Sequence, residues 1–198
     1  MLANEAVLNL GSGKILPGEF QNCFLVNLDT CYYGGSKAKV IERAYEKKWL
    51  SKKEPATFFC TEDAFTFLER TRIIFDTIVA YRFLEHIHPS KLLYLIHLMY
   101  ECLRPKGRVI GLTPDYEILA KRILREDPFS PDFEKENIVT TTELLNEPNS
   151  PHCSIWTQKR AFYYFTYEGK FKLTSIESPF SYDGRNIYMK FIAERSTL

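Results

Sequence analysis

The run Leu8-Asn9-Leu10-Gly11-Ser12-Gly13 ends an apolar stretch in two glycines one residue apart, and Asp29 closes the next apolar stretch, 23–28. Glycines let a backbone turn sharply and approach a ligand that a Cβ would block. An acid at the end of the neighbouring strand can accept hydrogen bonds from both hydroxyls of a ribose lying across the first strand. Singly, the loop also reads as a tight turn and Asp29 as a strand-end aspartate. Together they suit a ligand that contains a ribose. Glu62, Asp63 and Ala64 follow a third apolar run. An acid there can accept from the exocyclic amine of a purine, or cap the helix that begins at that point. His86 follows a fourth run and His152 lies in a stretch rich in Pro, Asn and acidic residues; either imidazole suits a general base, with Asp115 a weaker candidate. A turn-packing role competes for His86 and outweighs catalysis, and a surface-loop role competes equally for His152. Tyr81, Arg82, Tyr116 and Trp156 are candidate acceptor-wall residues.

Two phosphate-binding readings fail on spacing. No G-x-x-x-x-G-K-[ST] occurs, which excludes a P-loop. The loop runs "GSGKILPGEF", with Gly18 too late to supply the third glycine of a dinucleotide fingerprint. The short segment between Gly13 and the second run contains Pro17 and Gly18, too little for the crossover helix whose N-terminus would hold a pyrophosphate. An NAD(P) enzyme is therefore disfavoured. The four histidines, at 86, 88, 97 and 152, show no metal spacing, so no metal is expected; His97, in an apolar helix, reads as a satisfied core residue. The five cysteines are scattered with no C-x-x-C pair, which fits reduced thiols better than a disulfide or zinc framework.

The elements that must carry these residues alternate between strands and helices. Strands are expected at 6–10, 23–28, 56–60, 75–81 and 108–113. Helical patterns occupy 36–50, capped by Ser36, and the stretch after Pro89, where Leu92, Leu95, Ile96, Met99 and Leu103 fall at helical spacing. That alternation is the signature of a mainly parallel sheet in an α/β fold. Residues 114–156 read as an excursion, helical at first, that caps the carboxyl edge of the sheet where an acceptor would bind. A further helix in 157–169 and two alternating runs about the turn "YDGRN" close the chain with an antiparallel pair. One domain over 1–198 is expected.

Composition sets outer bounds. Hydrophobic residues are 45% and charged residues 26%, ordinary for a globular chain, and the formal net charge of +1 gives no reason to expect a nucleic-acid partner. The start has no basic segment followed by a long apolar core, and no apolar stretch approaches the roughly 20 residues that cross a bilayer, so a cytoplasmic protein without a membrane partner is expected.

"LNLGSG", "VNLD", "EDA", "FDTIVAYRFLEHI" and "LLYLIHLMYECLRPKGRVIGLTPD" follow one another from about residue 6 to 116. In that order they resemble the successive motifs of class I S-adenosylmethionine-dependent methyltransferases. The resemblance is closest to a small bacterial-type branch that lacks the usual first helix and carries a "PD" after the fifth strand and a histidine in the excursion, as "TPDY" and "SPHCS" do here. It implies a Rossmann-like fold: a mainly parallel seven-stranded sheet with an antiparallel last strand and helices on both faces. It also implies S-adenosylmethionine as cofactor. Gly11, Ser12 and Gly13, with Asn9, would pack under the methionine part. Asp29 would hold the ribose, Asp63 with Glu62 and Ala64 would flank the adenine, and Ala80, Tyr81 and Arg82 would line the sulfonium end. Ser12 departs from the branch, which more often has Cys there, and so does "CYYGGSK" after Asp29. "AYRF" is not the [DNS]-P-P-[YFW] of amino-methylating DNA enzymes, and no cysteine follows a proline as cytosine C5 chemistry needs. The expected function is thus methyl transfer to a small-molecule or saccharide acceptor, with His86 and His152 as candidate bases and Tyr116 and Trp156 on the acceptor wall. A binding-only regulatory or assembly protein that retains the cofactor pocket is the alternative.

Overall fold

The computed structural model describes residues 5–11, 23–29, 56–125, 152–182 and 185–197. Seven strands form one mixed sheet: β1 (Ala6–Leu10), β2 (Phe24–Asp29), β3 (Ala56–Thr61), β4 (Phe75–Tyr81), β5 (Leu103–Pro114), β6 (Phe171–Tyr182) and β7 (Arg185–Arg195). Their order is β3-β2-β1-β4-β5-β7-β6. The first five are parallel where they pair, and β7 runs antiparallel to both β5 and β6. Four α-helices are described: α1 (Ala64–Arg70), α2 (Pro89–Cys102), α3 (Tyr116–Arg125) and α4 (Gln158–Thr166). The helix expected at 36–50 lies outside the described residues, as does most of the 114–156 excursion. Among the described residues no helix is long and apolar enough to cross a membrane.

Burial on both faces explains why β1 and β4 are mostly apolar, with Asn9, Asp76 and Thr77 as buried exceptions. Leu8, Leu10, Ile78 and Ala80 join a core with Leu92, Leu95, Ile96 and Met99 of α2 and Phe165 of α4. Val7, Leu25, Val79 and Ile110 pack on the other face. A strand covered on both sides has no polar register to keep, so it reads as a continuous hydrophobic run. α2 starts where Pro89 stands at its first positions and His88 caps it, accepting from the Ser90 N–H at 3.3 Å. His97 of α2 is half-buried and its Nδ1 has no hydrogen-bond partner among the described residues, so the expectation of a satisfied core histidine does not hold. Cys23, Cys60, Cys102 and Cys153 carry no disulfide.

The sheet is packed tightly at one glycine. Gly111 of β5 faces Phe191 of β7, and a Cβ added there would lie 2.1 Å from the ring Cζ. That ring is fully buried against Phe165, at 4.9 Å between centroids, and Trp156, at 6.2 Å. Gly111→Ala is expected to cost about 3 kcal/mol of unfolding free energy, at the upper end of overpacking costs. Urea denaturation measures it, and the double variant Gly111→Ala/Phe191→Leu should recover part of the loss.

Candidate active site

The strand order reverses between β1 and β4, and a crevice opens at such a point beyond the carboxyl ends of the strands. Gly11 follows β1 there with φ +63°, and its N–H donates to Leu28 O at 2.9 Å. A Cβ on Gly11 would stand 2.7 Å from Cδ2 of Phe83. The positive φ and the close approach both demand glycine. Across the crevice, β4 ends and Arg82 takes φ 51° while its N–H donates to Leu112 O at 2.7 Å. A left-handed conformation at a non-glycine residue costs on the order of 1 kcal/mol and recurs where a chain must aim a side chain. Here it throws Phe83 onto the Gly11 turn and puts Arg82 at the rim.

The remaining cofactor candidates divide. Ser12, Gly13 and the side chain of Asp29 lie outside the described residues, although the Asp29 backbone closes β2. Asn9 Nδ2 donates to Asn27 Oδ1 at 3.0 Å in a buried cross-strand pair, so its amide belongs to the sheet. Asp63 caps α1, and its Oδ1 accepts from Phe65 N–H at 3.0 Å and Thr66 N–H at 3.2 Å. Both bonds use one oxygen, which leaves Oδ2 for a ligand. Glu62 forms an ion pair with Arg70 at 2.6 Å. Ala64 and Ala80 are buried, and Tyr81 is half-buried with its ring edge-on to Tyr182.

A denser group stands just past β4. Leu84–His86 form a single 3-10 turn in which Glu85 is fully buried. The Glu85 carbonyl accepts N–H bonds from Cys153 at 2.7 Å and Ser154 at 2.9 Å. Ser154 Oγ donates to Leu84 O at 3.0 Å and accepts from Trp156 Nε1 at 2.9 Å. These bonds fasten the end of the excursion to the turn and bring the His152 ring edge-on to His86, with 4.8 Å between centroids. Tyr116, the first residue of α3, hydrogen-bonds through its hydroxyl to His152 Nδ1 at 2.8 Å. His152 Nε2 is buried with no hydrogen-bond partner among the described residues. One ligand atom each from Glu85, His86 and His152 lies within 4.8 Å of the others.

Burial dominates the electrostatics. It pushes His152 down to about 4, with the charges of His86 and Arg82 adding to the shift. It pushes Tyr116 up to about 12, aided by Glu85. At neutral pH the site therefore holds a neutral imidazole and an un-ionised phenol.

This geometry corrects several expectations. The histidines do come together: His86 and His152, far apart in sequence, share one site with Glu85. Their two ring nitrogens and a carboxylate oxygen make a donor set suited to a divalent cation. His88 rather than His86 caps the following helix. Trp156 has 0% exposure and lies in the core, so it leaves the acceptor wall to Tyr116. Asp115 is buried with both oxygens engaged, by Glu117 N–H at 2.9 Å and Ser178 Oγ at 2.6 Å, which makes it a structural cap and removes it as a base. Sequence reasoning left Glu85 without a role; a carboxylate beside a histidine at the end of a strand was the available signal.

No protein-family model matches the chain, and no curated protein sequence matches it. Solved structures do. A SAM-dependent methyltransferase from Methanosarcina mazei aligns over 97% of this chain and 92% of its own, at 18% identity and a TM-score of 0.58. The 1,6-didemethyltoxoflavin-N1-methyltransferase of Burkholderia thailandensis, solved with bound 1,6-didemethyltoxoflavin and S-adenosylhomocysteine, aligns over 98% of this chain and 72% of its own, at 12% identity and a TM-score of 0.62. The N-methyltransferase NodS of Bradyrhizobium japonicum aligns over 99% and 90%, at 13% identity and 0.55. The chain has the class I S-adenosylmethionine-dependent methyltransferase fold.

Proposed function

We propose that the protein is an S-adenosylmethionine-dependent methyltransferase acting on a hydroxyl of a small-molecule or saccharide acceptor, with Glu85, His86 and His152 holding a divalent cation at the acceptor. The observation that carries this reading is the cluster itself: two imidazoles and a buried carboxylate gathered past β4, on the rim of the crevice that begins at Gly11.

The crevice fits the cofactor. Gly11 turns the chain at the carboxyl end of β1 with φ +63° and with Phe83 packed against it, and in this reading the methionine chain lies over that turn. Ala80, Tyr81 and Arg82 sit at the neighbouring strand end, and in this reading Asp29, the last residue of β2, takes the ribose and Asp63 Oδ2 with the backbone of Ala64 takes the adenine. S-adenosylmethionine supplies an electrophilic methyl on a sulfonium, so the protein's tasks are alignment and removal of the acceptor proton. A hydroxyl is a poor nucleophile. A cation at the cluster would lower the pKa of an acceptor oxygen, and neighbouring hydroxyls on a sugar form the chelating pair such a cation prefers. First-row cations bind N and O donors at about 2.0–2.2 Å. Tetrahedral donors at that distance stand about 3.4 Å apart, so donor atoms within 4.8 Å of one another would close by up to about 1.4 Å to share one ion.

Calorimetry with S-adenosylmethionine, with NAD as control, tests the cofactor. Heat with the sulfonium ligand alone is expected, and its absence would sink the reading. Asp29→Ala should weaken that binding about 100-fold if two charge-assisted hydrogen bonds are lost. S-adenosylhomocysteine release over a panel of saccharides, with EDTA and then Mg²⁺, Mn²⁺ or Zn²⁺ restored, tests the chemistry. Cofactor binding without release in any arm would favour the binding-only alternative.

A further inference from the structure

We propose that Tyr116 is a positioning residue that holds His152 through a change of tautomer, donating its hydroxyl proton to Nδ1 when Nε2 carries the imidazole proton and accepting from Nδ1–H once Nε2 is engaged by a cation. The proposal rests on the cation reading above.

Both partners are fixed from behind, so the 2.8 Å contact between Tyr116 Oη and His152 Nδ1 is not a chance meeting of mobile side chains. The Tyr116 backbone N–H donates to Trp156 O at 3.0 Å, and the preceding Asp115 N–H donates to Ile187 O at 2.8 Å. The buried Asp115 carboxylate adds the bonds to Glu117 N–H and Ser178 Oγ that start α3. On the other side, the residues following His152 donate two N–H bonds to Glu85 O. The phenol and the imidazole are thus carried on separate elements that meet at one hydrogen bond.

A neutral imidazole bears one N–H, and the other nitrogen is its only lone pair. Without a cation Nε2 has no hydrogen-bond partner among the described residues, and a phenol donates more readily than it accepts, so the favoured tautomer carries its proton on Nε2 and leaves Nδ1 to accept from the phenol. A cation at the cluster needs the Nε2 lone pair, so the proton must then reside on Nδ1. The exchange takes one proton from Nε2 and returns one to Nδ1 through solvent, with none released overall. A carboxylate or carbonyl beside Nδ1 would serve only the second tautomer. A phenol can serve both, because it carries a donor hydrogen and an acceptor oxygen and exchanges the roles by rotation about one bond. Ligating histidines depend on such an outer partner, whose loss typically lowers metal affinity about 10–100-fold.

The test is Zn²⁺ titration of wild-type and Tyr116→Phe proteins, with the histidine tautomers read from long-range ¹H–¹⁵N correlation spectra. Phenylalanine keeps the ring and removes the hydroxyl, and far-UV circular dichroism checks the fold. In the wild type, His152 should carry its proton on Nε2 in EDTA and on Nδ1 with zinc. Tyr116→Phe should bind zinc about 10–100-fold more weakly, and in EDTA its His152 should show a mixture of tautomers. A variant that binds zinc like the wild type, with the same tautomer inversion, overturns the proposal and leaves the cation reading standing. A wild type that binds no zinc overturns both. A purely structural role for Tyr116 would lower thermal stability without moving the ¹⁵N signature.

Discussion

His152→Ala is expected to lower kcat for methyl transfer by about 10²–10⁴-fold while the Kd for S-adenosylmethionine stays within about threefold. His152 supplies the ring nitrogen that lies closest to having no other purpose. Its Nε2 is buried, lacks a hydrogen-bond partner among the described residues, and belongs to an imidazole held neutral to about pH 4. The cofactor candidates Gly11 and Asp63 lie on other elements, and among the rest Arg82 reaches His152 through its charge. The loss should therefore fall on the chemical step. Single-turnover S-adenosylhomocysteine formation measures it, with calorimetry as the control for cofactor binding. Glu85→Gln separates the two ways the site can work. If a cation is needed, the amide removes the anionic donor of the cluster and activity falls as it does with His152→Ala. If His152 acts alone as a base, Glu85→Gln should change kcat by less than about tenfold. Equal kcat for His152→Ala and wild type would remove the cluster from catalysis altogether.

Much of this frame was legible before any coordinates. The mostly apolar runs at 6–10 and 75–81 match β1 and β4 because strands buried on both faces favour apolar residues, and the buried Asn9, Asp76 and Thr77 each have a polar partner. Pro89 marked the start of α2, and Gly11 marked the turn, since both residues carry a backbone constraint that local sequence expresses. Asp63 remained ambiguous for a physical reason: one carboxylate has two oxygens, and the cap uses only one of them. The cluster was not legible. Its members are brought together by bonds from the Cys153 and Ser154 backbone to Glu85 O, and backbone donors leave no trace in residue type. Trp156 misled for a related reason. An aromatic residue in a polar excursion looks like a ligand wall, and only the packed ring of Phe191 reveals it as an anchor.

That anchor should link stability to function. Trp156→Ala is expected to cost about 4 kcal/mol of unfolding free energy, the usual range for deleting a buried tryptophan. The indole lies against Phe191 at 6.2 Å and Tyr164 at 5.6 Å and has 0% exposure. Its Nε1–H also holds Ser154 Oγ, which in turn holds Leu84 O, so the same side chain fastens the His152 segment to the turn that carries Glu85 and His86. Trp156→Phe tests the two roles separately. It keeps most of the apolar packing and should cost only about 1–2 kcal/mol, chiefly through the lost hydrogen bond and the smaller ring. The loosened His152 segment should nevertheless weaken zinc binding and lower kcat by more than its stability cost explains. Met99→Ala is the matched control, because Met99 is fully buried in the same core but sits on α2, with no bond to that segment. It should destabilise the protein by about 2–5 kcal/mol and leave zinc affinity unchanged in conditions where it remains folded. Urea melts and zinc titrations on the three variants decide the matter. If Trp156→Phe and Met99→Ala weaken zinc binding alike, the indole is only core. If Trp156→Phe alone weakens it, the tryptophan that packs the sheet also sets the geometry of the site.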